Sequence, residues 1–97
     1  MDINKAIKTA VTTGKVVFGL EQTLKALAAG SARLVITSSN CPDKHLMKID
    51  DYKNVAKHRF SGNNIELGSA CGKPFAVSVL SVINAGNSDI LALGKNK

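Results

Sequence analysis

The chain has no tryptophan, one tyrosine and three phenylalanines among its 97 residues. A core without large rings must come from Val, Ile, Leu and Ala, which suits helices packed on a short sheet. The two cysteines, Cys41 and Cys71, form no Cys-x-x-Cys pair. A zinc site would have to recruit His45 and His58, so no metal is expected. No apolar run is long enough to cross a bilayer or to form a signal-peptide core. The expectation is therefore a cytosolic protein with reduced thiols, Cys71 in the core and Cys41 in a loop. Nucleotide-loop patterns are missing too: neither Gly-x-x-x-x-Gly-Lys-Ser/Thr nor Gly-x-Gly-x-x-Gly occurs, despite Gly62-Asn63-Asn64 and Gly68-Ser69-Ala70. The spacing of His, Cys and carboxylates sets no nucleophile beside a base. No cofactor is expected, and a small basic enzyme is the weakest reading.

Acidic residues are also scarce, with seven Asp and Glu against thirteen Lys and Arg and a formal charge of +6. That surplus suits a polyanionic partner, although solubility alone is a plainer explanation of the same composition. Hydrophobic residues make up 44% of the chain, enough to argue against disorder. No repeat, low-complexity tract or Gly/Pro-rich linker divides it, so residues 1–97 read as a single domain.

Asp2 can cap a first helix in which Ile3, Ala6, Ile7, Ala10 and Val11 recur at helical spacing, with Lys5 and Lys8 on the wet face and Gly14 at the end. Lys15 to Phe18 reads as a short buried strand. Gly19 then permits a sharp turn into a helix with Leu20, Leu24, Leu27 and Ala28 on its apolar side, closed by Gly30. Arg33 to Thr37 is too continuously apolar to keep one wet face, so helices should cover both sides of its sheet. Pro42 suits the first turn of a third helix that aligns Leu46, Ile49 and Tyr52. Val55 to Phe60 can continue that helix or form a strand.

The most informative stretch runs from Asn63 to Val82. Asn64 can accept an N–H at a helix start, Gly72 suits a left-handed cap, and Pro74 forbids continuation. Lys73 and Phe75 are thereby presented where the chain reverses. A cation beside an exposed aromatic suggests nucleic acid. Phe75 to Ile83 reads as the last strand, Asn84 to Asn87 as a turn, and Ser88 to Leu93 as a short helix before a polar tail. Alternating helices and strands imply an α/β fold, a three-layer α/β/α sandwich with a short four-stranded mixed sheet.

Five segments taken in order carry a resemblance that covers nearly the whole chain. They are Gly19-Leu20-Glu21-Gln22-Thr23-Leu24-Lys25-Ala26-Leu27-Ala28-Ala29-Gly30, Arg33-Leu34-Val35-Ile36, Ser39-Asn40-Cys41-Pro42, Asn63-Asn64-Ile65-Glu66-Leu67-Gly68 and Ser88-Asp89-Ile90-Leu91. Together they resemble the archaeal and eukaryotic large-ribosomal-subunit protein number thirty family, within a superfamily that binds kink-turn RNA. The resemblance implies a structural ribosomal component in the cytoplasm that holds kinked ribosomal RNA, touches neighbouring ribosomal proteins and is monomeric when free. A regulatory or RNA-modification protein of the same superfamily is the alternative. The family pattern, with Asn54 as a turn residue, also favours a strand over Val55 to Phe60.

By the same resemblance, the Gly19 turn enters the RNA near its sheared G·A pairs. Gln22 and Thr23 would reach base edges there, and Lys25 the backbone. Glu21 departs from the family, which favours Lys, Arg or Asn at that position. An ordinary strand-to-helix turn is the competing reading of the segment. Asn40 can cap the next helix or meet a base, and Lys44 can add a phosphate contact. Phe75 would stack on an unpaired base or, alternatively, point inward as core. Lys73, Ala76, Val77 and Ser78 would complete the lip, with Ala76 standing where the family often has Arg.

Overall fold

The computed structural model describes residues 2–94, so the expected polar tail at 95–97 lies outside the described residues. Four strands are present: β1 (Lys15–Phe18), β2 (Leu34–Thr37), β3 (Ala56–Arg59) and β4 (Val79–Asn84). Four helices accompany them: α1 (Ile3–Thr13), α2 (Leu20–Ala29), α3 (Asp43–Asp50) and α4 (Asn64–Ala70). The sheet order is β1-β4-β2-β3, with β4 antiparallel to both neighbours and β2 parallel to β3. The last strand is therefore central, and β1 lies at an edge. This corrects the reading of β1 as buried: Lys15 is exposed and Val16 to Phe18 are only half-buried.

Successive strand side chains point to opposite faces, and the sheet uses both. Leu34, Ile36, Leu80 and Val82 pack with Ile7 and Ala10 of α1, Leu67 of α4, and Ile90. Val35 and Val79 pack with Leu27 of α2 and Ile49 of α3 on the other side. The result is the expected α/β/α sandwich around a mixed sheet. All four β2 residues are buried, as their continuous hydrophobicity requires.

Local chemistry sets the helix ends. Asp2 accepts the Lys5 N–H at 3.2 Å. In α4 the cap is Asn63 rather than Asn64: its side chain accepts the Glu66 N–H at 2.9 Å, and Glu66 Oε1 accepts the Asn63 N–H at 2.9 Å. This reciprocal box leaves Asn64 free for another partner. Gly72 is left-handed, at φ 76°, one residue beyond the Cys71 cap. Within Val55 to Phe60, Ala56–Arg59 forms a strand, the alternative that the family pattern favours. The last helix is a 3₁₀ helix over Ile90–Gly94, later than the expected start at Ser88.

The main departure concerns the last strand, which begins at Val79 and not at Phe75. Residues 75–78 form an irregular segment held against α4, with the Val77 N–H bonded to the Asn64 carbonyl at 2.9 Å. Gly68 makes this closeness possible. A Cβ added there would lie 2.0 Å from the Phe75 carbonyl oxygen, far inside contact distance. Gly68→Ala is therefore expected to lower unfolding free energy in urea by about 1–3 kcal/mol, the usual cost of overpacking.

Candidate nucleic-acid interface

Because β1, β2 and β3 run together and β4 runs against them, one end of the sheet collects several loops. These are the Gly19 turn after β1, the Ser38 to Pro42 loop after β2, the loop after β3, and the segment leading into β4. Backbone bonds tie them together. The Gly19 N–H donates to the Val79 carbonyl at 2.9 Å and the Ser38 N–H to the Ser78 carbonyl at 2.9 Å. In parallel α/β arrangements the carboxyl ends of strands are where ligands bind.

Gly19 sits at φ 92°, in the region that strains any residue with a Cβ. It occupies the cap position of α2 without a side-chain bond, and the Thr23 N–H bonds to its carbonyl at 3.0 Å. A Cβ at Gly19 would meet nothing within 4 Å, so the turn faces open space. The first N–H groups of α2, unpaired within the helix, and the positive end of its dipole favour an anion there.

A groove of about 360 Å³ connects this turn to the α4–β4 segment. Phe18, Gly19, Leu20, His45, Phe75, Ala76 and the residues to Val79 line it. Phe75 is 53% exposed, which removes the core alternative. Its ring meets Phe18 edge-on, with centroids 6.4 Å apart and an interplanar angle of 89°. The Lys73 ammonium lies 5.4 Å from the Phe18 ring centroid, a distance suited to a cation–π contact.

The predicted site residues divide. Gly19, Gln22, Lys25, Asn40, Phe75 and Ala76 are exposed and Lys73 is half-buried. Thr23 and Val77 correct the expectation. Thr23 is fully buried on the inner side of α2, and its hydroxyl has no partner among the described residues. Val77 is 3% exposed and belongs to the core cluster with Leu67. Neither side chain is available to a base edge. Ala28, expected on the apolar side of α2, is exposed, and Ala26 is buried in its place.

Asn40 acts as a cap, but of α4 rather than the next helix. Its Oδ1 accepts from the Asn64 N–H at 2.9 Å and from the Ser38 hydroxyl at 2.8 Å, while its Nδ2 donates to Asn64 Oδ1 at 3.2 Å. Arg59 Nη2 donates to the Ser39 carbonyl at 2.7 Å, a second brace on the same loop. Lys25 pairs with Glu21 at 3.6 Å, both largely exposed. Such a pair contributes little to stability, so the cation is readily released to a stronger anion.

Phe18 and His45 are groove residues that the sequence reading passed over. Phe18 ends the strand immediately before Gly19, and His45 lies four residues before the buried Ile49 on α3, so each had a positional signal. Burial pushes the Cys71 thiol up to about 11, although Lys73 pulls the other way. Burial also raises Cys41, against the opposing pull of Arg59. Cys41 is buried, not merely a loop residue. Both thiols stay neutral near pH 7, and neither is primed as a nucleophile. Among the described residues no three His, Cys, Asp or Glu groups gather to hold a metal, and no helix is long and apolar enough to cross a membrane.

Known proteins are similar to this chain along most of their length. The large ribosomal subunit protein eL30 of Methanoregula boonei is 41% identical over 93 residues, covering 96% of each chain. The large ribosomal subunit protein eL30B of Schizosaccharomyces pombe is 44% identical over 93 residues, covering 93% of this chain and 80% of the relative. A solved structure of a protein of unknown function from Bacillus halodurans C superposes with a TM-score of 0.80 at 29% identity, covering 99% and 98% of the two chains. The family model describing the ribosomal protein L7Ae/L30e/S12e/Gadd45 family matches residues 1–92, a span that contains every loop of the groove. On that match and those identities, the chain belongs to the ribosomal protein L7Ae/L30e/S12e/Gadd45 family.

Proposed function

We propose that this chain is a structural component of the large ribosomal subunit that binds a kink-turn in ribosomal RNA and holds it bent, without performing chemistry. The observation that carries this reading is the shared groove: an exposed aromatic, Phe75, faces a glycine turn at a helix N-terminus. The two halves suit different parts of a nucleotide. The Gly19 turn offers unpaired N–H groups to a phosphate or base edge, and Phe75 offers a ring to a base that has left its stack. A regular duplex exposes phosphates but hides its base faces, whereas a kinked internal loop presents both. The names of the curated relatives, large-subunit ribosomal proteins and not enzymes, support the ribosomal setting.

In this reading Gln22 and Asn40 address base edges, Lys25 and Lys73 address phosphate, and Gly19 and Ala76 leave room for close approach. Asn40 does so with its remaining amide hydrogen, since its oxygen already accepts from Ser38 and Asn64 and its Nδ2 already donates once to Asn64 Oδ1. Neighbouring ribosomal proteins complete the setting, and the free protein is monomeric. Titration of a kink-turn RNA against a fully paired duplex of equal length tests the reading: tighter binding to the kinked RNA is expected, and equal affinity would leave only a nonspecific basic protein.

Phe75→Ala is expected to weaken kink-turn binding by about 1–3 kcal/mol. Because the ring is 53% exposed, the stability cost should stay below the roughly 3–5 kcal/mol typical of a buried Phe, with loss of the edge contact to Phe18 contributing about 0.5–1.5 kcal/mol of it. A large drop in stability with unchanged affinity would refute base stacking. For Lys25→Ala, the slope of log affinity against log salt should fall by about one. An unchanged slope would return Lys25 to the solvated face.

A further inference from the structure

Besides Phe75, a second large apolar side chain is left open at the same end of the molecule: Ile65, 69% exposed on the first turn of α4. The two are joined by a cleft of about 260 Å³ that also takes in Ser69, Lys73 and Pro74. It is a different cleft from the Gly19 groove and shares with it only Phe75 and Ala76. The Pro74–Phe75–Ala76 lip is thus a ridge with a hollow on either side. Ile65 and Ser69 lie four apart on one helix and so face the same hollow.

We infer that this second hollow takes a further unpaired nucleobase of the same RNA, its face against Ile65 and Phe75 and its phosphate toward Lys73; the inference rests on the RNA-binding reading above. Three observations favour a nucleotide over an apolar peptide. The cleft continues a surface whose other side already presents an aromatic and a helix N-terminus. No acidic residue lines it, while Lys73 does. The Ser69 hydroxyl supplies the hydrogen-bonding group that a base edge needs and an apolar side chain would desolvate at a cost. Within a protein of net charge +6, an apolar pair with Lys73 beside it matches a flat, uncharged base on an anionic backbone.

The test uses Ile65→Ala, which removes an exposed side chain and leaves the fold intact, with a synthetic kink-turn RNA and variants made abasic at each unpaired nucleotide in turn. Ile65→Ala is expected to weaken binding to the intact RNA about fivefold or more. One abasic RNA should bind the parent and Ile65→Ala equally, because the base that senses Ile65 is gone. Unchanged affinity for the intact RNA, with the parent still preferring it to duplex, overturns the second hollow and leaves the proposed function standing. Normal RNA affinity with failure of Ile65→Ala to join ribosomal particles assigns the hollow to a protein and likewise overturns the inference. A parent protein with no kink-turn preference removes both.

Discussion

The close approach of α4 to the segment that follows it is the constraint on which this surface depends. Gly68 has no side chain, and the Phe75 carbonyl occupies the space that one would fill. The Val77 N–H then finds the Asn64 carbonyl instead of a strand partner. With its backbone group spent in this way, the segment cannot extend β4 toward Phe75. The ridge stands outside the sheet because the helix beneath it is cut away at one residue.

Polar bonds fix the loops around that ridge, and hydrophobic burial supplies the stability beneath it. Asn40 and Asn64 exchange two bonds across the gap between the loop after β2 and the start of α4. The capping box at Asn63 holds the same turn from the other side. Neither arrangement involves a charged pair in the interior. The exposed lysines are therefore not needed to hold the fold, and an anion can recruit them at small structural cost. Where recognition requires a fixed shape, the shape comes mainly from amides and packing, with Arg59 bracing the loop after β2.

Much of this was legible because local chemistry and tertiary demand agree. The unbroken Leu34-Val35-Ile36 run could only be a strand covered on both faces, and Asp2, Gly30 and Gly72 mark helix ends by mechanisms intrinsic to those residues. The failures have equally specific causes. The Thr23 hydroxyl suggests a polar contact, yet the residue lies three positions after Leu20 and four before Leu27, on the buried stripe of a helix. Val77 and Val79 looked like one alternating strand but enter opposite clusters, which no continuous strand allows for residues two apart. Asn63 and Asn64 are chemically identical neighbours. Only the position of Glu66 three residues after Asn63 separates the cap from the residue that Asn40 claims.

The two outer strands are only four residues long, and each carries cations: Lys15 on β1, Lys57 and Arg59 on β3. The β1 pairing also slips between Lys15 and Val16. Short, charged, irregular margins are poor templates for a second chain. Edge-to-edge pairing with a second copy is therefore disfavoured by the margins themselves.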